Sequence, residues 1–268
     1  MDKELRDKKI IELYTTGNMS INRVAQELSV SWGTVKKVLK KNDIEIRKQV
    51  NQYSMGNNIS DSLFAEINDA DSAYWLGFLY ADGNIKKDRN EIALELKESD
   101  IDSIKDFHSY CGNNNNIRRH VIKRDGKEYV SYASSFSNGA VKENLCKLGC
   151  VPRKSLILTC PTEEQVPNEY FLDFLRGYID GDGYIQFDTS KHRYRIIICG
   201  TKDFLTGVVK RLDMFENTYI AKDSNSNIYT LTISNKENVY NLLCKLYENS
   251  KYHLKRKYDI YRNALLGA

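Results

Sequence analysis

The 268-residue sequence predicts an α+β fold: two pseudo-symmetric copies of an αββαββα unit, preceded by a small all-α module. Three observations carry this reading. A Gly-x4-Asp-Gly pattern occurs twice, at Gly77, Asp82, Gly83 and at Gly177, Asp182, Gly183, with an offset of 100 residues. A second pattern, Val141, Leu145, Cys146, Lys147 and Leu148, returns as Val239, Leu243, Cys244, Lys245 and Leu246 at an offset of 98. The basic excess lies at the front: residues 1–48 hold 11 Lys/Arg against 7 Asp/Glu, which accounts for the whole net charge of +4.

Composition narrows the class. Hydrophobic residues at 41% and charged residues at 28% are ordinary for a globular chain. No apolar run reaches eighteen residues, so no membrane partner is expected, and the charged start "MDKELRDKKIIELY" does not read as a signal. A cytoplasmic setting, in a bacterium, a phage-infected cell or an organelle, is the expectation. Six cysteines without a C-x-x-C pair fit reduced, buried thiols better than zinc. The four histidines, 108, 120, 192 and 253, form no triad-like pattern.

The front module comes first. Residues 3–16 read as a helix with Ile10, Ile11 and Leu13 apolar and Gly17 at its stop. Ser20 can cap a second helix carrying Val24, Ala25 and Leu28. After a tight Ser29-Val30 turn, Ser31 can cap a third carrying Val35, Val38 and Leu39. Residues 5–45 resemble the helix-turn-helix of repressor-like DNA-binding domains. In that motif the last helix enters the major groove. The resemblance therefore points Ser31, Trp32, Gly33, Thr34, Lys36 and Lys37 at bases and Lys40 and Lys41 at phosphates. Residues 49–70 lose periodicity and read as a linker, so the expected domains are 1–48, 71–165 and 166–268.

Each repeat then reads in one order. The Asp-Gly helix opens it, a hairpin follows, then a helix, a second hairpin and a closing helix. The turns fall at "KDRN" and Asp125-Gly126 in the first copy, and at "TSKH" and an Asp/Asn/Ser run in the second. In the opening helices small residues stand four apart, Gly77 with Ala81 and Gly177 with Gly181, which places each pair on one face and allows close helix approach. Packing the two helices about a pseudo-dyad brings Asp82 and Asp182 together at negatively polarised helix ends. Such a pair makes sense with cations between the carboxylates. Each aspartate precedes a glycine suited to the left-handed position that ends a helix.

These motifs resemble the LAGLIDADG homing endonuclease family over residues 71–262. The resemblance implies a monomeric, sequence-specific endonuclease that makes metal-dependent double-strand breaks in a long DNA target, with a β saddle over the duplex. It implies two or three Mg²⁺ (or Mn²⁺) ions at the pseudo-dyad, held by Asp82, Asp182 and the backbone at Ala81 and Gly181. It assigns the basic catalytic residue of each half to Lys154 and Lys257. Tyr80 departs from the consensus, which has at that position the acid that Asp180 retains.

Strand alternation adds the DNA-facing side chains. With Ile92, Leu94 and Leu96 toward the helices, Lys86, Glu95 and Lys97 face out; Gln186, Arg193 and Arg195 follow by the same logic, as do Arg118 and Arg124. Two other functions remain open: a non-catalytic helix-turn-helix/LAGLIDADG transcription regulator, and an RNA maturase that assists intron splicing. A regulator has no reason to keep a self-repelling carboxylate pair. Maturase activity leaves no mark in these motifs.

Overall fold

A computed structural model describes residues 2–17, 19–46, 59–188, 193–213, 218–222 and 228–266. The turns expected at 189–192 and 223–227, His192 and the first part of the linker lie outside the described residues. The chain divides into two units, residues 1–52 and 53–268.

In the front unit, helices α1 (Lys3–Thr15), α2 (Ile21–Glu27) and α3 (Trp32–Lys41) close around Ile10, Tyr14, Val24, Ala25, Val35, Val38 and Leu39. Tyr14 is buried there, whereas Ile11 and Leu13 are only partly covered. The Ser20 and Ser31 side chains accept the amides of Arg23 and Thr34, as expected of N-caps. Between α2 and α3, Ser29 takes a left-handed φ of 49°, which turns the chain within two residues.

The larger unit holds both repeats. The first runs α4 (Ala70–Ala81), β1 (Gly83–Ile85), β2 (Glu91–Lys97), α5 (Ile101–Tyr110), β3 (Arg118–Arg124), β4 (Lys127–Ser137) and α6 (Gly139–Lys147). The second runs α7 (Phe171–Asp182), β5 (Gly183–Asp188), β6 (Arg193–Gly200), α8 (Lys202–Leu212), β7 (Tyr219–Lys222), β8 (Tyr229–Ile233) and α9 (Lys236–Tyr247). Each copy forms an antiparallel four-stranded sheet, ordered β1-β2-β4-β3 and β5-β6-β8-β7. Asp125 and Gly126 both have positive φ, 51° and 71°, the geometry of the tight turn their sequence predicts. One helix, α10 (Lys255–Leu266), follows the second copy and has no counterpart in the first.

The expected linker is shorter than residues 49–70. Ile59, Phe64 and Ile67 are buried in the core of the larger unit. Asn138 and Asn144 at α6 donate to the Asp61 carboxylate (2.8 Å) and carbonyl (2.9 Å). Isolated apolar anchors in irregular turns carry no periodicity, so the sequence of this segment reads as unstructured.

Candidate functional site

The site begins where α4 crosses α7. A Cβ on Gly77 would overlap the carbonyl oxygen of Phe174 and lie 2.9 Å from the Tyr178 nitrogen. A Cβ on Gly177 would overlap the carbonyl oxygen of Tyr74 and lie 2.9 Å from the Phe78 nitrogen. The two helices touch backbone to backbone, and the contact repeats itself across the pseudo-dyad. One turn on, Gly181 lies against the Ala81 methyl, and its absent side chain leaves room for the Asp82 carboxylate, whose Oδ2 would stand 3.2 Å from a Cβ. The four small residues form the interface their spacing predicts.

Gly83 and Gly183 follow the aspartates for a different reason from the one expected. Neither is left-handed: Gly183 has φ −98° and ψ 163°, and Gly83 is absent from the positive-φ residues. Each strand leaves so close to its helix that a Cβ would lie 2.7 Å from the Cα of Leu79 or of Ile179. Space, not handedness, selects glycine here.

The crossing brings together Asp82, Asp182, Lys154 and Lys257. Both aspartates are exposed at the helix ends, and both lysines are buried beneath them. Partial desolvation raises the Asp82 carboxyl to about 6; the Asp182 charge adds to this, while Lys257, then Lys154, oppose it. Desolvation raises Asp182 as well, opposed by Lys154 first and Lys257 second. On each carboxylate, then, the stronger opposing lysine belongs to the other repeat. Lys154 Nζ donates to the Gly83 carbonyl, and Lys257 Nζ donates to those of Ile179, Asp180 (2.8 Å) and Gly183 (2.7 Å). Burial lowers Lys257 to about 8. The lysines therefore grip the backbone at the two Asp-Gly junctions rather than reaching into open solvent, which the resemblance alone did not indicate. An open cleft beside Asp82 is lined by Lys86, Lys87, Arg153 and Lys154.

Sequence reasoning passes over Asp180 as a mere consensus remnant. It is buried, and its carboxylate accepts from Tyr74 Oη (3.0 Å), Tyr247 Oη (2.7 Å) and the Leu254 amide (2.7 Å). Tyr80, its counterpart, is equally buried and donates to the Leu148 carbonyl. Contacts reaching 67 to 106 residues along the chain leave no local signal.

Away from the dyad, strand register assigns the outer faces, since directly paired residues share a face. Asn84, Lys86, Glu95, Lys97, Arg118, His120 and Arg124 lie opposite the buried Ile92, Leu94 and Leu96. In the second sheet, Tyr184, Gln186, Asp188, Arg193 and Arg195 lie opposite Ile185, Ile196 and Ile198. All the expected strand residues are thus on the uncovered faces. Some are tied to neighbours: Arg195 to Gln186 (3.1 Å) and Asp188 (3.7 Å), and Glu95 to His120 (3.0 Å) and Ser131. The Nε–H groups of Arg193 and Arg195 are buried without an acceptor among the described residues. In the front unit, Trp32 and Lys37 are exposed, Lys36 lies 4.6 Å from the Trp32 ring centre, and Lys40 and Lys41 are exposed at the far end of α3. The Ser31 and Thr34 hydroxyls bond to each other at 2.8 Å, so both serve the helix cap.

Comparison with known proteins gives a likeness for the second repeat. Residues 169–246 match the model of the LAGLIDADG-like domain. The second repeat is thus similar to a LAGLIDADG-like domain. The first repeats its element order, strand order and helix-crossing geometry. Solved structures give weaker likenesses. A single-substitution mutant of I-SmaMI is 11% identical with a TM-score of 0.48, covering 74% of this chain and 90% of its own. The LAGLIDADG meganuclease I-AabMI bound to uncleaved DNA is 12% identical with a TM-score of 0.46, over 75% and 90%. Full-length DUF199/WhiA from Thermatoga maritima is 16% identical with a TM-score of 0.44, over 77% and 64%. No curated protein matches the chain.

Proposed function

We propose that this chain is a monomeric DNA endonuclease that makes metal-dependent double-strand breaks in a long target, with the front unit as an additional DNA reader. The observation that carries the proposal is the exposed Asp82/Asp182 pair at one end of a glycine-locked helix crossing, with a buried lysine under each helix end. A fold has no use for two carboxylates that are costly to ionise at helix C-termini; a cation site does.

The residues fit Mg²⁺ or Mn²⁺. The donors are hard carboxylate oxygens, with the Ala81 and Gly181 backbone beside them. Among the described residues no group of three His, Cys, Asp or Glu side chains converges that could hold a metal. Water and phosphate oxygens would complete the shell, as suits Mg²⁺. When bound, divalent ions supply Lewis acidity and positive charge at the scissile phosphate. The protein's own part is to fix Asp82 and Asp182 at one separation, through Gly77, Gly177 and Gly181. Lys154 and Lys257 hold the Asp-Gly backbone and temper the carboxylate repulsion. The outer sheet faces would bind the duplex: Lys86, Lys97, Arg118, Arg124 and Arg193 offer charge to phosphates, and Arg195 and Gln186 offer donors to base edges.

The test is incubation with DNA spanning the gene's own insertion site, in Mg²⁺ with and without EDTA. Breakage of both strands that EDTA abolishes is the expected result. Tight DNA binding with intact strands in both Mg²⁺ and Mn²⁺ would establish the regulator reading instead. Selective binding of a structured intron RNA would establish the maturase.

A further inference from the structure

We propose that Asp180 is a positioning residue for one half of the centre only, so that its loss slows scission of one DNA strand far more than the other. The inference rests on the endonuclease reading above and concerns how the two halves are held. By pseudo-symmetry each half needs a lysine beneath an Asp-Gly junction, yet the two lysines are delivered by different structures. Lys154 comes from a short turn entered through Arg153, whose φ of 58° is left-handed. Lys257 comes from the first turn of α10, which the first repeat lacks.

Asp180 places that turn. Its carboxylate accepts the amide of Leu254, the residue just before α10, while its own carbonyl accepts Lys257 Nζ. Tyr74 of α4 and Tyr247 of α9 hold the same carboxylate from two other directions. The segment around Leu254 is further clasped to the first repeat by Lys251 on Asp71 and by Arg256 on Asp100 (3.3 Å). The Tyr80 ring packs against Phe174, but its hydroxyl, at the matching place, bonds to the end of its own repeat, at Leu148. Removing the Asp180 carboxylate therefore loosens the Leu254 turn that carries Lys257, whose own bonds go to backbone carbonyls, and leaves Lys154 as it was.

Asp180→Ala in the full chain tests this, with each strand of a cleavable target end-labelled separately. Binding is measured in Ca²⁺ and melting is followed in parallel. We expect one strand to be cut about tenfold more slowly than the other, in line with the loss of a group that orients a site residue, so that nicked product accumulates while affinity holds. Asp180→Asn should restore much of the balance. Its carbonyl oxygen can take the Leu254 and Tyr74 donors, and its amide can turn to the Tyr247 hydroxyl. Tyr80→Phe should leave the strand ratio within about twofold of wild type, as expected where no site residue depends on the deleted hydroxyl. If Asp180→Ala does not fold, Tyr247→Phe removes one donor and should give a smaller bias in the same direction. Equal slowing of both strands, or no slowing, overturns the inference while the endonuclease reading stands. A wild type that cuts neither strand overturns both.

Discussion

Gly77 meets the backbone of α7 at Phe174 and Tyr178, and Gly177 meets that of α4 at Tyr74 and Phe78, the same contact shifted by 100 residues. Three residues beyond each glycine the correspondence is interrupted: Tyr80 donates to a carbonyl, whereas Asp180 accepts three hydrogen bonds. The contrast shows where symmetry is enforced. At the axis each repeat packs against its own copy, so any side chain added on one side meets backbone on the other, and both sides stay glycine. Off the axis each repeat need only complete its own half, and different residues with different partners do so.

The largest effect should come from the carboxylates. Asp82→Asn and Asp182→Asn are each expected to lower double-strand cleavage by about a thousandfold or more, with binding in Ca²⁺ retained. A deficit confined to one mutant would break the symmetry claimed for the axis. The same substitutions should stabilise the metal-free protein. A carboxyl whose folded pKa is raised contributes stability that is lost as pH climbs from its unfolded value, near 4, through its folded one, about 6 for Asp82 and likewise raised for Asp182. At pH 7.5 the neutral amide should therefore melt about 1–2 °C higher than the wild type.

Gly77→Leu and Gly177→Leu come next, each expected to destabilise by about 3 kcal/mol, because the overlapping atoms are backbone and cannot move aside. The two values should agree within about 1 kcal/mol. A mutant that melts like wild type would mean the helices do not meet there.

The symmetric parts were the legible ones. Two motifs at a fixed interval gave the αββαββα order, the crossing residues and the paired aspartates, because repetition turns weak local patterns into one strong signal. Lys154 and Lys257 were found only through the family likeness, since nothing local marks a lysine that grips carbonyls far away in the chain. The asymmetric parts were not legible. Residues 59–68 anchor to the core without periodicity, α10 has no twin to announce it, and Asp180 works through partners too distant to leave a spacing.

A smaller, graded effect is expected from pH. Metal must displace the proton from Asp82, so apparent Mg²⁺ affinity should weaken as pH falls below about 6. The ammonium of Lys257 is lost above about 8, which loosens its hold on the Gly183 carbonyl. Cleavage at sub-saturating Mg²⁺ should therefore rise up to pH 6–7 and decline beyond 8, changing about tenfold per unit at most on the acid side. A flat profile from pH 5 to 7 would show that Asp82 is not the group that titrates.

The last and smallest effect sets the front unit against the repeats, a comparison between two ways of reading DNA. The repeats would read through sheet faces that carry bound acids as well as bases, with Glu95 and Asp188 among them. Helix α3 instead presents Lys36, Lys37, Lys40 and Lys41 with no acidic residue in its length. Its contribution should thus be mostly phosphate attraction, with Trp32, half exposed at 48%, as the one large group at its leading end. Lys36→Ala with Lys37→Ala should weaken binding a few-fold at low salt, reduce the salt dependence by about one unit of slope for each phosphate no longer neutralised, and leave the cleavage position unchanged. A chain beginning at Tyr53 keeps Ile59, Phe64 and Ile67 for the core of the larger unit, so it should still fold and still cut. Its footprint should shorten on one side only, because one module cannot serve both half-sites. Footprinting all three proteins on one target decides the matter. Identical footprints and identical salt slopes would mean that α3 serves something other than the target, and that the repeats alone choose where to cut.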